Sequence, residues 1–80
     1  MTEQEELLRK KINQRLRELE FNEDNRLGVL TLFDSDIDRL QTFIEYLCTT
    51  ELTRDDRGEI YLKAREITGK KYMRVIVADD

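Results

Sequence analysis

The sequence predicts a helix-rich α+β domain in the order α-β-α-α-β, with three helices on a short two-stranded sheet. Three observations lead there. Apolar residues recur at helical spacing through most of the chain, which contains no proline. Thr2-x-x-Glu5, Ser35-x-x-Asp38 and Thr53-x-x-Asp56 read as capping boxes that open helices. Two stretches, 26–33 (RLGVLTLF) and 72–78 (YMRVIVA), carry residues that favour strands.

The first helix opens at Thr2 and buries the stripe Leu8, Ile12, Leu16 and Leu19. Glu5 with Arg9, and Glu6 with Lys10, stand four apart in the favourable order. The helix is expected to fray near Phe21, where Asn22, Glu23, Asp24 and Asn25 form a polar turn. The stretch 26–33 reads two ways. Leu30, Phe33, Ile37, Leu40, Ile44 and Leu47 would suit one long helix. Against it stand the strand-favouring Val29, Thr31 and Phe33, the poor helix former Gly28, and a mid-helix Asp34-Ser35-Asp36. The alternation in 72–78 decides for strand, because a strand needs a pairing partner and only 26–33 offers one. The next helix then starts at Asp34 or Ser35 and runs to about Cys48, with Ile37, Leu40, Phe43, Ile44 and Leu47 as its stripe. The last helix starts at Thr53, turns Ile60, Ala64 and Ile67 inward, and ends at Gly69 in a left-handed cap.

Eighty residues make one domain, 1–80, with a thin stability margin. Leu, Ile, Val and Phe supply 23 residues, enough for the chain to fold although 40% of it is charged. A net charge of −4 opposes general affinity for nucleic acid or anionic membrane. No apolar run reaches the roughly 18 residues of a membrane helix. The N-terminal residues lack the basic-then-apolar pattern of a signal peptide, and Cys48 stands alone. A cytoplasmic protein is expected, with Cys48 as a small core residue.

The chemistry that the residues allow is narrow. There is no histidine, which removes the commonest general base and metal ligand. Gly28, Gly58 and Gly69 are isolated, so no phosphate-cradling loop is spelled. Asp34, Asp36, Asp38 and Glu45 fall at positions 1, 3, 5 and 12 of a calcium loop of the EF-hand kind. Position six, which needs glycine, is Arg39. Capping of the following helix accounts for the three aspartates without calcium. No enzyme, cofactor or metal is expected.

Charge is blocked along the chain. Arg9, Lys10, Lys11, Arg15 and Arg17 form a basic run, and acids dominate 18–38. Arg57, Lys63, Arg65, Lys70, Lys71 and Arg74 then outnumber Glu59 and Glu66 in 57–74. The blocks are expected to be solvated faces that pair with one another within the fold. The alternative joins the last cluster with Tyr61 and Tyr72 as a nucleic-acid contact. The helix-turn-helix alternative is weakened by Asp55 and Asp56, two acids where a recognition helix would meet phosphate. Tyr46 and Leu62 fall off their helical stripes and mark a protein-contact surface. The leading expectation is a small interaction or regulatory protein that binds another protein, or itself as a homodimer through the open sheet edges, with Leu7 and Phe21 as further contacts. A nucleic-acid-binding accessory protein using 57–74 is the alternative.

Overall fold

The computed structural model describes residues 2–70, and all of their regular structure is helical. Four α-helices follow one another: α1 (Glu3–Glu18), α2 (Glu23–Leu32), α3 (Ile37–Thr49) and α4 (Arg57–Thr68), the last preceded by a 3₁₀ turn (Arg54–Asp56). The expected α+β architecture is therefore incorrect. Its first strand, 26–33, is helix, and its second, 72–78, lies outside the described residues.

The reason is local. The Asn22 side chain accepts a hydrogen bond from the Asn25 amide at 2.8 Å, and Glu23 and Asp24 follow in the first turn. That is a helix start, with acids on the positive end of the helix dipole. Val29, Leu32 and Phe33 then bury at spacings of three and four. Thr31 returns its hydroxyl to the Gly28 carbonyl at 2.8 Å, which accommodates a strand-favouring residue within the helix. The polar turn after Phe21 was thus an N-cap.

Both ends of α1 depend on side chains. Thr2 accepts from the Glu5 amide at 3.1 Å, as its box requires, while the Glu5 carboxylate turns to Arg9 at 3.2 Å. Leu8, Ile12, Leu16 and Leu19 are buried as their spacing predicts. The helix ends at Glu18, three residues earlier than expected, in a Schellman arrangement: Phe21 N–H reaches the Leu16 carbonyl at 3.0 Å and Glu20 N–H reaches Arg17 at 2.9 Å. Glu20 holds the left-handed position, at φ 67°. Phe21 is buried against the Tyr61 ring, so it is core and not a docking contact.

The Ser35 capping box is likewise corrected. Asp36 is the N-cap of α3 and accepts from the Arg39 amide at 3.2 Å. A carboxylate there satisfies an amide and also opposes the helix dipole, which a serine hydroxyl does more weakly. Thr53 and Asp56 do form a complete capping box, and Gly69 closes α4 at φ 74°. Cys48 is exposed rather than core, because it stands about 100° around α3 from the buried Leu47.

The helices contact one another in a closed ring. α1 packs chiefly on α3 and also on α2, while α4 packs on α3 and α2. Ile12, Leu16, Val29, Phe33, Leu40, Phe43, Leu47 and Ile60 fill the centre, with Phe33 stacked on Phe43 at 5.0 Å between centroids. Around this core, arginines hold the helix C-termini. Arg57 donates to the Glu20 carbonyl and Arg26 to that of Phe21, beside the end of α1. Arg9 reaches the end of α2, Arg15 the end of α3, and Arg39 the end of α4. A guanidinium suits these carbonyls because it brings several donors and a positive charge to the negative end of the dipole.

Candidate interaction surface

The basic cluster expected over 57–74 is not gathered on one face of the described residues. Arg57 lies at the start of α4, where it donates to the carbonyls of Arg54 (2.8 Å) and Glu20 (2.9 Å). Lys70 lies past the opposite end and pairs with Asp34 at 3.3 Å, a link to the acidic block. Lys63 and Arg65 flank opposite sides of α4, since two residues are about 200° of helical rotation. Lys71 and Arg74 lie outside the described residues.

What the fold does bring together is Tyr46, Leu62 and Lys63. They line one shallow surface where α3 meets α4, with Glu59 and Glu66 beside them. The core of α4 is set by Ile60, Ala64 and Thr68, which turns Leu62 outward and leaves it 60% exposed. On α3, Tyr46 stands one residue before the buried Leu47, and its ring stacks at 6.3 Å on the buried Phe43. The Tyr46 ring is therefore supported by the core and stays half-buried.

Lys63 completes the surface. Its ammonium lies 5.3 Å from the Tyr46 ring centroid and 3.3 Å from a Glu66 carboxylate oxygen. Both contacts order the long side chain across the ring, an arrangement in which an ammonium is attracted to the π face. Partial burial pushes the Tyr46 phenol above its ordinary pKa, Glu59 and Asp56 push the same way, and Lys63 opposes them. The hydroxyl is thus protonated at neutral pH and available as a hydrogen-bond donor.

The aspartates read against a calcium loop have other roles. Asp36 caps α3, Asp34 pairs with Lys70, and Asp38 lies in the first turn of α3. Among the described residues, no three carboxylate or thiol side chains gather in a way that could hold a metal ion. No described helix is long and apolar enough to cross a membrane. The sequence singles out Tyr46 and Leu62 by angular position and Lys63 as part of a basic cluster. The contact of Lys63 with Tyr46 joins two helices, and no local pattern announces it.

No family model, no curated protein and no solved structure matches the chain.

Proposed function

We propose that this chain is a small cytoplasmic interaction protein of a regulatory kind, which acts by binding another protein through the Tyr46–Leu62–Lys63 surface. The observation that carries this reading is the exposed Leu62 beside an aromatic ring braced by the core. A rigid tyrosine next to an exposed aliphatic side chain supplies contact area at little entropic cost, which is the composition of an interface centre. Glu59, Lys63 and Glu66 give it a charged rim of both signs. The partner is a different protein or a second copy of this chain.

Comparative capture tests the reading. The full chain and its Leu62→Asp variant are immobilised, and the proteins each retains from a cell extract are quantified. At least one protein is expected to be retained by the parent, lost on Leu62→Asp and kept on Leu27→Asp, with both variants folded. Identical retention by parent and Leu62→Asp would remove this surface from consideration. Light scattering on the parent and on Leu62→Asp shows whether the partner is a second copy.

A further inference from the structure

We infer that the groove between α1 and α2 is a second docking surface, one that takes an acidic amphipathic helix of another protein. It lies on the α1–α2 side of the helix ring, away from the α3–α4 surface, and the argument for it is independent of that surface.

The apolar part comes first. Leu27 is 61% exposed and, with half-buried Leu30, lies in a shallow groove whose other wall is α1. Leu7, 53% exposed, stands on an adjoining surface that shares Glu6 and Lys10 with the groove. Two of the three exposed large hydrophobic side chains of the described residues thus lie on either side of Lys10. Along α1 the groove runs from Glu6 to Arg17, about 16 Å at the helical rise, the length of three turns of a docked helix.

Charge identifies the occupant. Arg9, Lys10, Arg17 and Arg26 line the groove against Glu6 and Glu23, a local excess of two positive charges in a chain of net charge −4. Arg9 and Arg26 are engaged by backbone carbonyls of the fold. Lys10 and Arg17 are exposed and make no ion pair within 4 Å among the described residues. They are the two cations left for an incoming carboxylate. A nucleic acid fits less well, since no aromatic side chain lines the groove for base stacking and Glu6 and Glu23 would face phosphates. A helix with leucines on one face and glutamates beside them meets both the apolar and the basic requirement.

The experiment is an amide-resonance titration of the full chain with a synthetic capped peptide carrying Leu and Glu at helical spacing. Shifts are expected at Lys10, Asn13 and Leu27. Affinity should fall about tenfold or more in Lys10→Glu with Arg17→Glu, where repulsion replaces attraction. Leu62→Asp should leave binding unchanged, which separates this groove from the α3–α4 surface. Leu27→Ser, which alters no charge, gives a second check and should weaken binding as well. Shifts that are absent or scattered would overturn the proposal. So would equal binding of a peptide with Lys in place of Glu, or equal binding of a single-stranded oligonucleotide at the same residues.

Discussion

The two sides of α1 put the same kind of charge to opposite uses. Arg9 and Arg15, on the flanks of its buried stripe, are half-buried, and each reaches across to the end of another helix. Lys10, Lys11 and Arg17 stand on the outer side, exposed and without an ion pair among the described residues. Within nine consecutive residues, the basic run thus divides into cations that hold the fold and cations that are free for a partner. Position around the helix separates them, not residue type alone, since the exposed Arg17 is also an arginine. The inner two are arginines, whose planar fork can serve several carbonyls at once, whereas a lysine offers one compact charge.

Arg9 is the centre of the inner group, and its removal gives the largest expected effect. It donates to Glu5 at 3.2 Å, to the Leu30 carbonyl at 2.9 Å, to the Asp34 carbonyl at 2.8 Å and also to the Phe33 carbonyl. Glu5 itself is 3% exposed, so losing the guanidinium leaves a buried carboxylate without its cation. Arg9→Met keeps an apolar stem of similar reach and should cost about 2–4 kcal/mol. In a domain of this size that lowers the melting temperature by more than roughly 10 °C. Arg9→Lys should recover only part of the loss. A melting temperature within about 2 °C of the parent for Arg9→Met would show that the α2 end does not need this residue.

That hub was only partly legible beforehand. The pairing of Glu5 with Arg9 follows from their spacing on one helix, and it forms. The bonds from Arg9 to 30–34 span more than twenty residues of sequence, and no local pattern announces them. The same limit explains the error over 26–33. Asn22 to Asn25 reads equally as a polar turn and as a helix start, and the strand-favouring residues of 26–33 and 72–78 point away from the helix that Asn22 in fact caps. Where the signal was local and nothing competed, at the Thr2 N-cap, the Thr53–Asp56 box, Gly69 and the stripe of α1, sequence and structure agree. Even there, Glu5 turns to Arg9 and not back to Thr2, and Thr53 opens a 3₁₀ turn before α4 begins at Arg57. Of the interaction surface, the outward turn of Leu62 could be read from helical rotation alone, whereas Tyr46 is half-buried against the core because it stands only about 60° around α3 from Phe43. Their neighbourhood could not be read in this way, because it depends on how α3 packs on α4.

Arg15 offers a smaller version of the Arg9 test. Its Nε donates to the Leu47 carbonyl at 3.0 Å, and its other contact is an exposed pair with Glu18 at 3.3 Å. The exposed pair contributes little. Arg15→Met should therefore cost about 1–1.5 kcal/mol, the loss of one charge-assisted bond at a helix end, measured as a shift in urea midpoint with unchanged slope. A cost equal to that of Arg9→Met would mean that the number of carbonyls served does not set the energy.

The outer face should give the smallest effect. Lys10 and Lys11 touch no carboxylate within 4 Å among the described residues and cap no helix, and both are exposed. Replacing each with Gln keeps helix propensity nearly the same, since Lys and Gln rank together. The double variant moves the net charge from −4 to −6, because two positive charges are removed. That slightly increases self-repulsion, an effect that moderate salt screens. Lys10→Gln with Lys11→Gln should therefore change stability by no more than about 0.5 kcal/mol, and that remainder should shrink as sodium chloride rises from low to physiological concentration. A loss that matches Arg15→Met and persists at high salt would place these lysines among the residues that hold the fold. The division of α1 into an inner structural side and an outer free one would then be wrong.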